Sequence, residues 1–547
     1  MRSVIILLLF GICAFAFFGS GKSEERNTAK GIHTEKLFSY KRAVENSDNS
    51  MQTVKRADIV GVDMNAVAGL LVQSPSELNV EIPMNGGTAM KLKLKRSYPL
   101  AEDFALYEKS GSITVRRNFS NEGIHFTGII EGKDNTVAAL SFFRDGVMGV
   151  ISDEKGNHIL GPLERDGSPS GEYVFYNDAD LLTPSGFKCG VEDLEDRFTV
   201  PFNNAGATAK QETDNPARLA VRVYMEADFQ TYLDKGSNIQ NVANYISGLY
   251  NSVQAIYQAE GIPTQVSNVA VWTAADPYRN LTSSDSVLFA FGRNTQDNFQ
   301  GNLAHLISTR SANMGGIAWI RVLCSQYEPS YFAGRFAFSN IETTYNNFPT
   351  YSWTINCITH EMGHNLGSRH THSCTWPTGN GGALGPIDSC YYAEGGCFPA
   401  PRPRIGTIMS YCHLWPANQG GGVNLASGFG QLPGDTIRLR YAQASCLDRE
   451  MNSSERPSGF DLAQNHPNPF NPTTTISFAV PDQSEIYLEV YDMAGRKITE
   501  LISAKLFEPG FYSVDFDASS FGLSSGVYFY RLRAERFTET KRMALIK

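Results

Sequence analysis

The run His360-Glu361-Met362-Gly363-His364-Asn365-Leu366-Gly367-Ser368-Arg369-His370 holds three imidazoles and a carboxylate at usable spacings. On a helix, side chains four apart share a face, so His360 and His364 can point ring nitrogens at one ion. Ile355, Ile358, Met362 and Leu366 fall opposite them. That pattern predicts a helix that buries the apolar stripe and turns its histidines toward a cleft. Gly367 tolerates the positive φ that ends a helix, so the chain can swing and bring His370 back as a third ligand. Three histidines leave one coordination position open, which suits a catalytic zinc rather than a structural one. Glu361, beside the first ligand, can accept a proton from water in that position. A closed structural site would use a fourth protein ligand and have no need of Glu361. His372 is a second candidate for the third ligand, and the spacing favours His370.

Elements must hold this run in place. Alternation at Leu219, Val221, Val223 and Met225 predicts a strand, and Val266–Trp272 a second one. Between them Ile239, Val242, Ile246, Leu249, Val253 and Ile256 recur at three- and four-residue spacing, which predicts a long amphipathic helix. Strand, helix and strand in sequence give an α/β core. Upstream, residues 22–200 alternate short apolar runs with Gly and Asp, including 128–132, 136–142 and 149–151, and read as a β-rich unit. The polar stretch 196–216 reads as an exposed linker. After a second linker at 452–459, the runs 475–480, 486–491, 512–516 and 527–532 lie between Pro and Gly turns. They predict an antiparallel β-sandwich.

The 547 residues are 42% hydrophobic and 19% charged, enough apolar material for packed cores. A net charge of −9 without a basic block argues against nucleic-acid binding. Arg2, the apolar run 4–18 and the small residues Gly19-Ser20-Gly21 read as a secretory signal peptide. No later segment is apolar for long enough to span a membrane, so no membrane span is expected in the mature protein. Export would let disulfides persist among the nine cysteines.

The eleven-residue run resembles the extended zinc motif of the metzincin endopeptidases. Gly406-Thr407-Ile408-Met409-Ser410-Tyr411-Cys412 resembles their Met-turn, with Met409 as its methionine. Tyr411 matches a tyrosine that some members place near the metal, where it could stabilise an oxyanion; a buried hydrogen-bonded tyrosine is the alternative. Residues 217–449 are most similar to the reprolysin (adamalysin-like) group, which implies a mixed sheet with helices. Gly315-Gly316-Ile317-Ala318-Trp319-Ile320 resembles the edge strand that borders the cleft, so Gly316, Ile317 and Ala318 would pair with an extended substrate. Thr371 stands where reprolysins usually have Asp. The upstream unit resembles reprolysin propeptides, and Lys188-Cys189-Gly190-Val191 resembles their cysteine switch, in which a thiolate fills the open zinc position.

By the same resemblance Cys324 pairs with Cys446, while the connectivity of Cys374, Cys390, Cys397 and Cys412 stays open. Cys357 is left over, His305 is read as structural and His413 as a residue that could line the cleft. Leu462-Ala463-Gln464-Asn465-His466-Pro467-Asn468-Pro469-Phe470-Asn471-Pro472, with later blocks to the end, resembles the sorting domain of the type IX secretion system of Gram-negative bacteria. The expected multidomain order is a signal peptide at 1–20, a β-rich propeptide at 21–200 and an α/β catalytic domain at 201–449. A linker at 450–459 and a sorting β-sandwich at 460–547 complete it. The resemblance implies a zymogen that hydrolyses protein or peptide substrates with one catalytic Zn²⁺ and is exported through the periplasm by the type IX machinery, to be secreted or attached to the cell surface. Calcium stays open as a second ion, without residues that support it. A surface adhesin of the same fold is the alternative, and loss of Glu361 or of a ligand would have favoured it.

Overall fold

The computed structural model describes residues 32–45, 53–165, 168–182, 189–190, 219–311, 314–341, 349–378, 383–415, 421–447, 459–507 and 510–546. The expected signal peptide, the polar stretch 196–216 and nearly all of the second linker lie outside the described residues, as do Lys188 and Val191.

The Gly- and Asp-punctuated runs of the N-terminal unit fold into a ten-stranded sheet, largely antiparallel, from Ile32–Glu35 at one edge to Phe38–Glu45 at the other. Its middle strands Val137–Phe143 and Gly146–Asp153 are buried along nearly their whole length, so both faces are covered. One face packs on a core of its own. The other shares a core with the helix Ile239–Ala259. That unit also contains a helix, Met64–Gln73, capped by Asp63 and not expected from the strand-like runs around it.

The α/β core forms around Val221–Ala227. Thr264–Trp272 and Leu303–Ser308 flank it in parallel. Phe336–Asn340 continues the parallel set, and the short Gly316–Ala318 closes that edge antiparallel. Asn238 starts the long helix by accepting from Gln240 N and Asn241 N, and its apolar stripe lies on the sheet. A late helix, Gln431–Ala442, is followed by a 3₁₀ turn, Ser445–Leu447, that carries Cys446.

The expected domains are not separate in the sheet. Leu100–Ser110 of the N-terminal unit lies parallel beside Thr264–Trp272 and turns back as Ile113–Arg117. That hairpin meets Gly510–Asp517 of the C-terminal unit at Val514, opposite Ile113. Beyond it, Thr473–Val480 pairs with Gly510–Asp517. A separate four-stranded antiparallel sheet, order 497–507, 484–491, 526–534, 537–545, shares one apolar core with these strands. The peptide bonds before Pro467, Pro469 and Pro472 are cis. Among the described residues no helix is long and apolar enough to cross a membrane.

Candidate metal centre

The helix Ser352–Asn365 carries the motif. Apolar packing buries Ile355, Ile358, Met362 and Leu366 as the periodicity predicts. His360, Glu361 and His364 are buried as well, and Cys189-Gly190 lies against them, with the thiol on Glu361 and Gly190 N on Gly316 O. Gly367 takes φ +102°, a value that suits glycine, and the chain turns there toward His370. Gly363 has its own reason to be glycine. A Cβ there would stand 2.6 Å from Phe429 Cε1 and 2.9 Å from Met409 Sδ.

His360 Nε2 lies 3.1 Å from His364 Nε2, which lies 3.2 Å from His370 Nε2. Cys189 Sγ is 3.5 Å from His364 Nε2, and these four ligand atoms all fall within 4.8 Å of one another. Behind each ring, Nδ1 has an acceptor: Ile408 O at 2.8 Å, Ser368 O at 2.8 Å and Glu394 Oε1 at 2.7 Å. A carbonyl can only accept, so Nδ1 of His360 and His364 must carry the proton and Nε2 must present a lone pair. Burial pushes the His360 pKa down to about 3, and burial together with neighbouring imidazoles holds His364 and His370 well below the usual range. Three neutral rings therefore aim lone pairs at one point with no proton to share. That arrangement is stable around a cation. A tetrahedral zinc with Zn–N near 2.0–2.1 Å and Zn–S near 2.3 Å would set about 3.3 Å between nitrogens and about 3.6 Å from sulfur to nitrogen. The residues fit the ion.

Glu361 is fully buried, and Cys189 Sγ donates to its Oε2 at 3.4 Å. Burial raises its pKa well above the usual carboxylate range, opposed by that hydrogen bond. Gly316 makes room for it: a Cβ there would lie 2.1 Å from Glu361 Oε1. Gly190 N donates to Gly316 O at 2.9 Å, so the upstream segment pairs with the edge strand. Tyr411 Oη accepts from Cys189 N at 2.8 Å and donates to Cys189 O at 2.9 Å. Met409 is buried under the helix, and Thr371 N donates to its carbonyl.

His372 lies behind His370, its ring stacked at 4.9 Å, and its Nε2 meets Glu394 Oε1 at 2.9 Å. His413 is buried against Trp353, and His305 bonds Ser339 in the sheet. Disulfides join Cys324–Cys446, Cys374–Cys397 and Cys390–Cys412, while Cys357 is a buried free thiol. Sequence reasoning missed Glu394. It sits 24 residues beyond His370 in a loop without periodicity, and its one signal is its place between Cys390 and Cys397 of two bridges.

Residues 218–418 match the reprolysin model of metallo-peptidase family M12. This segment is a family M12 metallopeptidase domain. Residues 465–547 match the model of the secretion system C-terminal sorting domain. Human disintegrin and metalloproteinase domain-containing protein 9 is 24% identical over 290 residues, covering 50% of this chain and 33% of that protein. The chain thus spans about a third of the length of this relative. Among solved structures, an FMN-binding beta-glucuronidase from Facaelibacterium prausnitzii L2-6 overlaps with a TM-score of 0.13 at 8% identity, over 81% of this chain and 73% of that one. The endo-beta-1,4-mannanase from Thermotoga petrophila gives 0.12 at 10% identity, over 60% and 79%. Neither overlap amounts to a shared fold. The M12 domain includes the histidine cluster and Met409; its matched residues end before the late helix.

Proposed function

We propose that the chain is a zinc-dependent endopeptidase made as a zymogen, exported by its sorting domain to the cell surface or the medium. The observation that carries this reading is the convergence of three proton-free Nε2 atoms beside Glu361 in an M12 domain. His360, His364 and His370 would hold the zinc. When bound, zinc supplies Lewis acidity, which acidifies a water molecule and polarises a peptide carbonyl. Glu361 takes the proton of the attacking water at its carboxylate and returns it to the leaving amine. Ile408 O, Ser368 O and Glu394 fix the three rings in the tautomer that ligation needs.

The edge strand Gly316–Ala318 would take an extended substrate by backbone hydrogen bonds, and the bond from Gly190 N to Gly316 O supports this register. In the uncut chain Cys189 fills the fourth position around the metal site, which supports the latent state. Tyr411 Oη, now on the Cys189 backbone, would face the substrate carbonyl once that segment leaves. Met409 would act as the Met-turn residue, supporting the cluster from below. The C-terminal strands would act as the sorting sandwich.

Chelator-sensitive hydrolysis of a peptide library by the processed protein tests the reading. Glu361→Gln should keep its zinc and lose about 10²–10⁴-fold in kcat. Undiminished hydrolysis by the zinc-loaded variant would refute the assignment.

A further inference from the structure

The contact between the N-terminal unit and the M12 domain has the character of a domain interior rather than of a plug. Val137, Ala139, Phe143 and Val150 belong to the same buried core as Val242, Ile246 and Val253 of the long helix. Leu100–Ser110 is a strand of the M12 sheet, pairing Leu100 with Val266 and, past a register shift, Ala105–Lys109 with Asn268–Trp272. Buried polar groups of the domain are also completed from upstream. Asn251 donates to Phe126 O and Leu140 O and accepts from Ser97 Oγ. Asn424 donates to Asp153 O at 2.6 Å.

Two of these contacts bear on the site and on charge. Tyr351 begins the helix that carries His360, Glu361 and His364, and its hydroxyl lies between Gly149 and Leu160 of the N-terminal sheet. Gly161 must be small there, since a Cβ would stand 2.8 Å from Pro349 and 3.1 Å from Tyr351. Glu226, with no exposed surface, takes its positive partner from the same unit: Lys109 Nζ lies 2.9 Å from Oε2 and 4.6 Å from the Trp272 ring centre. Tyr224, Trp272 and Tyr278 donate to the same carboxylate. Separation would bare apolar core, open a sheet edge and strand a buried charge together.

We infer that residues 32–182 remain bound as a permanent noncovalent subunit after the chain is cut between 191 and 218, so that the processed protein is a two-chain complex. Access to the metal centre then needs movement of the short Cys189-Gly190 segment alone. Its hydrogen bonds there include one from Gly190 N to Gly316 O, two between the Cys189 backbone and Tyr411 Oη, and one from the thiol to Glu361. The interface therefore belongs with obligate ones rather than with transient inhibitor contacts.

The test places a recognition sequence for a sequence-specific protease between residues 203 and 210 of the full chain. After cutting, size-exclusion chromatography with mass analysis is run at about 1 µM and again at about 10 nM, in low and in 1 M salt. The expected result is co-elution of both fragments in all four runs, because an affinity tighter than nanomolar holds at these dilutions. Elution of a folded M12 fragment free of the upstream fragment would overturn the inference. A second readout uses Lys109→Met, which should lower the thermal midpoint of the cut complex. Lys109→Met with Glu226→Gln should recover most of that loss; no difference between the two would also count against it. Neither readout involves hydrolysis, so failure here leaves the endopeptidase reading intact, and failure of that reading leaves this one standing.

Discussion

Cys189 touches the candidate metal centre in two ways, and they can be separated by substitution. Its thiol sits among the histidines, while its backbone N–H and carbonyl are both bonded to Tyr411 Oη. Cys189→Ala removes only the thiol, so the uncut chain should gain partial activity, below that of the cut protein. Activity of the uncut variant equal to that of the cut protein would mean that the backbone contacts do not obstruct the site. Gly316 gives a second residue-scale prediction. Ala there would push Glu361 Oε1 away from a contact of 2.1 Å, and a displacement near 1 Å costs on the order of 10²-fold in rate. Gly316→Ala should therefore lose kcat while binding zinc normally, and full kcat with normal zinc would show that the carboxylate position is not critical. His360, Glu361, His364 and His370 were legible from sequence because helix periodicity and a positive-φ glycine act over a few residues. Glu394 was not, since two disulfides bring its loop to His370 and no local pattern encodes their pairing. Neither was the contact of Cys189 with Glu361, which brings together residues 172 positions apart.

At the scale of elements, the helix Phe229–Asp234 depends on one buried carboxylate. Asp228 caps it by accepting from Thr231 N at 2.9 Å, and its other oxygen accepts from Ser308 Oγ. Burial raises the Asp228 pKa to about 6, with Asp276 adding to the rise and hydrogen bonds from Ser308 and Thr231 opposing it. Arg310 Nε faces it at 3.3 Å. An unfolded Asp titrates near 3.9, so the fold binds this proton more tightly than the unfolded chain does. The associated stability is present below about pH 4 and is lost as pH rises through about 6, up to about 3 kcal/mol. Asp228→Asn keeps the cap and should flatten that part of the midpoint-versus-pH curve between pH 4 and 6.5. A curve parallel to wild type would assign the titration elsewhere. The strands and long helix of the α/β core were legible because each shows one apolar period. The helix Met64–Gln73 was not, since its apolar residues Val67, Leu70 and Leu71 lie in a short segment flanked by strand-like runs. The entry of Leu100–Ser110 into the M12 sheet was equally hidden: a strand's pattern reports its own faces and not its partner.

Across the whole molecule, one sheet runs from the edge strand Gly316–Ala318 through the upstream hairpin to the C-terminal strands. The join to the C-terminal unit is slight, a single register pair between Val514 and Ile113. The apolar core of that unit is its own, formed by residues from Leu462 to Leu545. These facts separate folding from export. A chain ending near Gly459 loses none of the buried residues of the M12 core, whose last member is Leu447, and gives up the strand contact at the Ile113–Arg117 edge, where Val514 pairs with Ile113. It should therefore keep its three disulfides and, once processed, its hydrolytic rate, with a thermal midpoint within a few degrees of the full chain. What it lacks is the sorting domain matched at 465–547. In a bacterium with a type IX system the truncated protein should accumulate behind the outer membrane, while the full chain reaches the surface or the medium. Cell fractionation with an antibody to the M12 domain distinguishes the two outcomes. Normal appearance of the truncated form outside the cell would show that this unit serves as a spacer or binding module, and misfolding of the truncated form would show that the join at Ile113 carries more of the fold than its one register pair suggests.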